Sequence, residues 1–365
     1  MRVLVVGGGV IGCSIAYHLQ KAGASVTLIE RGEIAGEASG AAAGLIIPPA
    51  GAVAPGPFRD ICLASLALYP AFVEAVQRDS GIDVECVPSG ILVVAETLGM
   101  VQPLRAHARR QRELGLNTEW VDAPALRQLE PALSRHILGA AYSPDDLNVN
   151  PGRLTQALAT AAERLGADLR RGAGLAAFAG RGRRLRGVRT DAGDVIEADR
   201  IVLAGGPWTG AMAGRLGFPL PTPPMRGQML AYRSNALRHA VWGETGYLVP
   251  KPRGFLFAGA TVEDVGFRKT TTLRALTGLR RMASSLLPAL RHAEVASAWA
   301  GLRPGTPDGL PIIGQLPGRE NVYVATGHFR NGVLLAPITG RVMSQLLLDG
   351  RPEISLAPYD PARFA

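Results

Sequence analysis

The sequence predicts an α/β fold made of two interleaved domains, and three observations predict it. The chain opens on an apolar strand, Val3-Leu4-Val5-Val6, that runs directly into Gly7-Gly8-Gly9-Val10-Ile11-Gly12. Buried-strand and helix patterns of the same texture return at about 148–218 and again over the last 65 or so residues. Between them, at 81–147 and 219–299, short strands and Pro-punctuated turns dominate.

The first element carries the most information. Strand, glycines, amphipathic helix and a second strand ending at Glu30 follow one another as in a dinucleotide-binding βαβ unit. Gly7 permits the tight turn, Gly9 lets the backbone approach a pyrophosphate, and Gly12 allows the helix to pack closely on the strand. The helix N-terminus presents free N–H groups to phosphates, and Glu30 stands where a ribose hydroxyl needs an acceptor. FAD or NAD(P) is the expected ligand.

The remaining elements follow in order. A small-residue loop spans 35–56, and a helix is expected at 58–79. Ile91-Leu92-Val93-Val94 reads as a strand and 101–115 as a helix. Past Asn150-Pro151 come a helix at 154–165, a hairpin, and the buried strand Arg200-Ile201-Val202-Leu203-Ala204 ending at Gly205-Gly206. Strands are expected at 228–232, 247–250 and 255–259, followed by a helix at 273–287. The strand Val322-Tyr323-Val324-Ala325 leads through a turn at 326–331 into a helix at about 332–348. The domain assignment is therefore 1–80, 148–218 and 300–365 for the nucleotide-binding domain, and 81–147 and 219–299 for the second.

Composition limits the function classes. The 365 residues suffice for about two domains and a sizeable core. No run of about eighteen apolar residues was found, and the N-terminus enters a core strand within two residues, so a cytoplasmic protein without membrane contact is expected. Cys13, Cys62 and Cys86 have neither C-x-x-C spacing nor an even count, which argues against a disulfide framework and against a metal site. The formal net charge of +9 invites a nucleic-acid partner. However, only Lys21, Lys251 and Lys269 are lysines, the arginine runs lack interleaved aromatics, and a G/C-rich codon bias explains them more simply; no nucleic-acid partner is expected.

The C-terminal turn refines the cofactor. A helix launched at Gly332 would aim its positive end at whatever lies before it, and a reduced flavin gathers negative charge at its pyrimidine edge. A flavin therefore fits better than a nicotinamide.

Three segments, 36–44 (Gly-Glu-Ala-Ser-Gly-Ala-Ala-Ala-Gly), 299–309 (Trp-Ala-Gly-Leu-Arg-Pro-Gly-Thr-Pro-Asp-Gly) and 327–332 (Gly-His-Phe-Arg-Asn-Gly), together resemble the D-amino-acid oxidase superfamily of flavoproteins, most closely its glycine oxidase branch. The resemblance runs through essentially the whole chain. It implies a Rossmann-like FAD-binding domain of the glutathione-reductase type, interleaved with an α+β substrate domain whose antiparallel sheet covers the flavin. It also implies FAD-dependent oxidative deamination of glycine by hydride transfer to flavin N5, with dioxygen as electron acceptor, giving glyoxylate, ammonia and hydrogen peroxide in a thiamine pathway. A homo-oligomer is what the family suggests.

Carried over by position, Arg303 would grip the substrate carboxylate as a two-pronged donor, Tyr247 would assist it, and Arg330 would lie beside substrate and flavin. His328, Phe329, Arg330, Asn331, Gly332, Val333 and Leu334 would hold the flavin ring. Val10, Ile11, Glu30, Arg31, Ala38, Ser39, Ala43, Gly44 and Leu45 match further FAD contacts, with Leu175 at the adenine and Gly205 a second backbone approach. Relatives with covalent flavin use a Cys after the Arg303 position or an early His. Residues 304–320 and 31–50 contain neither, so noncovalent FAD is expected. Leu45 stands where some relatives have Met, and Thr245-Gly246 where others carry a bulkier pair, which leaves a larger substrate open: an N-substituted glycine such as sarcosine or a larger N-carboxymethyl amine, or a D-amino acid; separately, an acceptor other than dioxygen is a further alternative.

Overall fold

The computed structural model describes residues 1–47 and 55–365; the part of the 35–56 loop between them lies outside the described residues. The expected βαβ unit consists of β1 (Arg2–Val6), α1 (Val10–Lys21) and β2 (Ser25–Glu30), with β1 and β2 parallel and Val3 opposite Val26. They are central to a six-stranded sheet in the order Ile312–Gln315, Val322–Thr326, Arg200–Leu203, β1, β2, Asp168–Arg171. Every pairing in it is parallel except the first, which is antiparallel. Such a sheet is covered on both faces. Two separate apolar clusters flank it, one holding Val3, Val5 and Val26 with the helices, the other Leu4, Val6 and Ile29 with a three-stranded antiparallel sheet formed by Leu175–Ala179, Gly187–Thr190 and Val195–Glu197.

A second, nine-stranded sheet carries the strands expected at 91–94, 228–232, 247–250 and 255–259. It is antiparallel except where Ala240–Trp242 lies parallel to Ile91–Val94. Leu230, Tyr232, Leu248 and Leu256 pack one of its faces against the helix Leu273–Leu286. Several strands of this sheet were not named from the sequence, and the longest of them carries a candidate site residue. Val295–Pro304 pairs along its length with Pro224–Arg233, from Val295 opposite Tyr232 to Pro304 opposite Pro224, and it runs through the boundary placed at 299/300. The sequence reads there as glycine and proline turn chemistry, and only the distant partner strand makes it extended.

The helix Pro57–Ser80 spans 24 residues and is long and apolar enough, by those criteria alone, to cross a membrane. The helix does not contain eighteen uninterrupted apolar residues, since Asp60 and Glu74 bound its longest apolar run. In the protein its Ile61, Cys62, Tyr69, Phe72, Val73 and Val76 are buried in the core beside the C-terminal helix Gly332–Leu348.

The contact between those two helices is specific. Pro337 lies inside the C-terminal helix and has no N–H to offer the carbonyl of Val333. The Tyr69 hydroxyl donates to that carbonyl at 3.3 Å. One residue on, the Ser65 hydroxyl donates to the carbonyl of Leu334 at 2.6 Å and accepts from the N–H of Ile338 at 3.4 Å. Side chains of one helix thus replace backbone bonds weakened in the other, and they fix the orientation of the first turn at Gly332. Tyr69→Phe should lower the free energy of unfolding by about 1 kcal/mol and Ser65→Ala by about 1–3 kcal/mol, since each strands a buried acceptor. Urea unfolding of the two variants beside the parent chain checks both values.

Candidate active site

The glycine-rich turn is built for contact with its surroundings. A Cβ at Gly7, where φ is +120°, would meet the carbonyl of Ala204, and one at Gly12 would strike the carbonyl of Gly7. Gly12 therefore serves helix-on-strand packing, and neither it nor Leu334, whose carbonyl is bound by Ser65, lines the cavity that opens beyond the turn. Every other residue named from the sequence does.

That cavity has a volume of about 710 Å³, within the range of small-molecule and cofactor sites. It is lined by Gly7, Gly9, Val10, Ile11, Glu30, Arg31, Leu175 and Gly205; Ala38, Ser39, Ala43, Gly44 and Leu45 also line it. Tyr247, Arg303, and the run His328, Phe329, Arg330, Asn331, Gly332 and Val333 complete the lining, Gly332 coming close to Val10. Two helix N-termini reach it. α1 has no acidic residue in its first turn and no capping side chain at Gly9, although Ser39 Oγ accepts from the N–H of Val10 at 2.9 Å. The C-terminal helix likewise has no side-chain cap at Asn331 and no acid in its first turn. Both ends leave positive partial charge facing the cavity. An elongated ligand that carries both a pyrophosphate and an electron-rich ring fits this donor set.

Glu30 departs from the simple expectation. Its Oε2 accepts from the N–H of Gly8 at 2.7 Å and its Oε1 from the N–H of Gly32 at 2.9 Å. The carboxylate thus holds the glycine turn in shape, with lone pairs left for a hydroxyl. Arg31 lies over the ring of Trp208 at 3.8 Å, and Trp208 lines the cavity, a position the sequence reading did not select.

Arg303 lies on the strand Val295–Pro304, not on a turn. It is largely buried, and its Nη1 donates to the carbonyl of Thr261 at 2.9 Å. Across the strand pair, a side chain at Gly227 would occupy the place of the guanidinium. Burial pulls the Arg303 proton affinity down, and the nearby Arg330 charge does the same, while Tyr247 opposes them. Burial raises the Tyr247 pKa, against the charges of Arg303 and Arg330, so the phenol keeps its proton. Among the described residues, Arg303 has no carboxylate partner within ion-pair distance. A buried cation of this kind is suited to an incoming anion.

The turn beneath is tied to the same strand. Phe329 adopts a left-handed φ of +46° and its N–H donates to the carbonyl of Pro304 at 3.0 Å. Arg330 stands 5.3 Å from the Phe329 ring. His328 is buried, its Nε2 is 3.1 Å from Thr339 Oγ1, and burial lowers its pKa to about 3. Its imidazole is a packing group and stays neutral at ordinary pH. Among the described residues no cluster of His, Cys, Asp or Glu is placed to hold a metal ion.

Met229, Trp242, Glu244 and Thr245 also line the end of the cavity near Tyr247. Sequence reasoning noted Thr245 only as a departure and missed the others, since nothing local marks a residue that nonlocal strand pairing brings to a cavity.

The model of the family described as FAD dependent oxidoreductase matches residues 2–346. Glycine oxidase of Bacillus licheniformis is 35% identical over 351 residues, covering 96% of this chain and 93% of that protein. The bifunctional protein ThiO/ThiG of Synechocystis is 36% identical over 99% of this chain, which spans about half, 54%, of that protein's length. Among solved structures, glycine oxidase from Geobacillus kaustophilus superposes with a TM-score of 0.94 at 32% identity, covering 100% of this chain and 99% of that one.

The buried imidazole gives a pH dependence. The folded state holds His328 near 3 and an unfolded chain releases it to about 6.5, so unfolding takes up a proton between those values and stability falls as pH drops through that window. His18, lowered by burial to about 4, acts in the same direction. His328→Gln, which can still meet Thr339, should flatten the decline in unfolding free energy between about pH 6.5 and 4 relative to the parent. Chemical unfolding across that range measures it.

Proposed function

The chain belongs to the FAD-dependent oxidoreductase family whose model spans residues 2–346, and within it we propose that the chain oxidises glycine with dioxygen and water to glyoxylate, ammonia and hydrogen peroxide. The observation that carries this reading is the convergence of Arg303, Tyr247 and Arg330 on the same cavity as the glycine-rich phosphate cradle. The similarity to glycine oxidases across nearly the full chain supports it.

In this reading the six-stranded sheet belongs to the FAD-binding domain and the nine-stranded sheet to the substrate domain. The α1 N-terminus, Gly7 and Gly9 receive the pyrophosphate, Glu30 receives the ribose, and the turn 328–333 faces the ring, all through noncovalent contacts. When bound, FAD would supply the acceptor for the hydride leaving the α-carbon and a route for its electrons to dioxygen. Arg303 takes the carboxylate, because its fork offers parallel donors and the Thr261 carbonyl restrains its rotation. Tyr247, kept neutral by burial, offers its hydroxyl to the same carboxylate. Arg330 adds positive charge where the ring becomes electron-rich, beside the helix end at Gly332.

The one histidine lining the cavity among the described residues, His328, is engaged with Thr339 and stays neutral, and no side chain is assigned as base; in this reading the amine would arrive unprotonated. What these residues contribute is position and field.

Hydrogen peroxide and glyoxylate appearing together on addition of glycine to the flavin-loaded protein in air tests the reading. Silence with glycine alongside turnover of sarcosine or D-alanine would overturn the substrate. Arg303→Ala should retain flavin and lose about 2–5 kcal/mol of transition-state binding, at least about thirtyfold in kcat/KM. Steady-state kinetics with the flavin content measured on the same sample would show it, and full activity in that variant would refute the carboxylate assignment.

A further inference from the structure

Of the acidic side chains that line the cavity, four lie at its nucleotide end with other work to do. Glu30 binds the N–H groups of Gly8 and Gly32, Asp191 accepts from the N–H of Gly174, and Glu37 pairs with Arg31 and Lys269. Glu33 sits beside them, in the same loop as Glu37. The fifth, Glu244, lies in the turn that joins Trp242 to Tyr247, two lining residues whose rings are 5.1 Å apart. It is exposed and, among the described residues, has no ion-pair partner. The charges of Arg303 and Arg330 both act on Tyr247, three residues from Glu244.

Its position is fixed by the backbone. Residues 243–246 form a turn closed by the Gly243 N–H donating to the Gly246 carbonyl at 2.8 Å. The carboxylate of Glu96 accepts from the N–H of Glu244 at 2.7 Å and anchors the turn to the second domain. A Cβ on Gly246 would press on the Gly259 carbonyl and Met282, so the turn has little room to shift. The backbone that carries this carboxylate is thus held in place, which confines the side chain to the region beside Tyr247.

We propose that Glu244 sets specificity for the substituent on the substrate amine. Resting on the proposed reading that Arg303 takes the α-carboxylate, a substituent extending from the nitrogen toward the cavity mouth meets a negative charge. A neutral or cationic substituent is admitted and a second carboxylate is repelled.

Sarcosine and iminodiacetate differ only by a carboxylate on the N-methyl group and form the matched test pair. The parent protein should favour sarcosine in kcat/KM. Glu244→Gln should narrow the sarcosine-to-iminodiacetate ratio by at least about fivefold, Glu244→Lys should narrow it further, and added salt should narrow it in the parent but not in the Gln variant. A purely structural role would lower both substrates together and leave the ratio and its salt response unmoved, and that result overturns the proposal. Loss of glycine turnover in the parent would instead defeat the underlying reading. In that event, methoxyacetate against diglycolate, titrated through the flavin spectrum, gives the same comparison without turnover: equal shifts of both affinities on Glu244→Gln overturn the inference, and selective tightening of diglycolate supports it.

Discussion

The whole arrangement depends on one steric constraint, the contact between backbones where β1, α1 and the end of Arg200–Leu203 meet. Gly7 against Ala204 and Gly12 against Gly7 leave no room for a Cβ at either glycine. Because the helix can sit that close, its N-terminus opens into the cavity instead of standing off behind side chains. The carboxylate of Glu30 then fastens the turn from β2, so that sheet, helix and phosphate cradle form one rigid piece.

The opposite wall rests on a different device. The nine-stranded sheet brings Tyr247 and Arg303 from strands far apart in sequence to one end of the cavity, and the Phe329 turn closes on the last residue of the Arg303 strand. The C-terminal helix that begins three residues later is held by Ser65 and Tyr69 of the long helix. Proline inside that helix costs backbone bonds, and the two hydroxyls offset the loss where the orientation of its first turn matters most.

How much of this could be read in the sequence depends on how local each cause is. The glycine spacing of the first βαβ unit acts within about six residues and was fully legible, as were strands whose apolar alternation is their own, such as 228–232 and 255–259. Val295–Pro304 was not, because Gly301, Pro304 and several small residues favour a turn until Pro224–Arg233 pairs with them. Arg303 and Tyr247 could be named only through family resemblance, since the 55 residues of intervening chain carry no periodicity linking them. Trp208 and Glu244 escaped notice for the same reason. The hydroxyls of Ser65 and Tyr69 were hidden inside an ordinary amphipathic pattern, which records that a face is buried but not that it donates hydrogen bonds.

The single strand that passes from the second sheet to the Phe329 turn also bears on how such a protein can change over evolutionary time. In the proposed reading, one continuous stretch of backbone carries the carboxylate grip and ends against the turn that faces the ring, so it works as a caliper whose jaws are set by peptide geometry. Residues on the 243–246 turn stand outside those jaws. Substitution there can retune which amines are accepted while leaving the gap across which hydride would travel unaltered, and this separation of choice from distance lets one scaffold serve many related substrates.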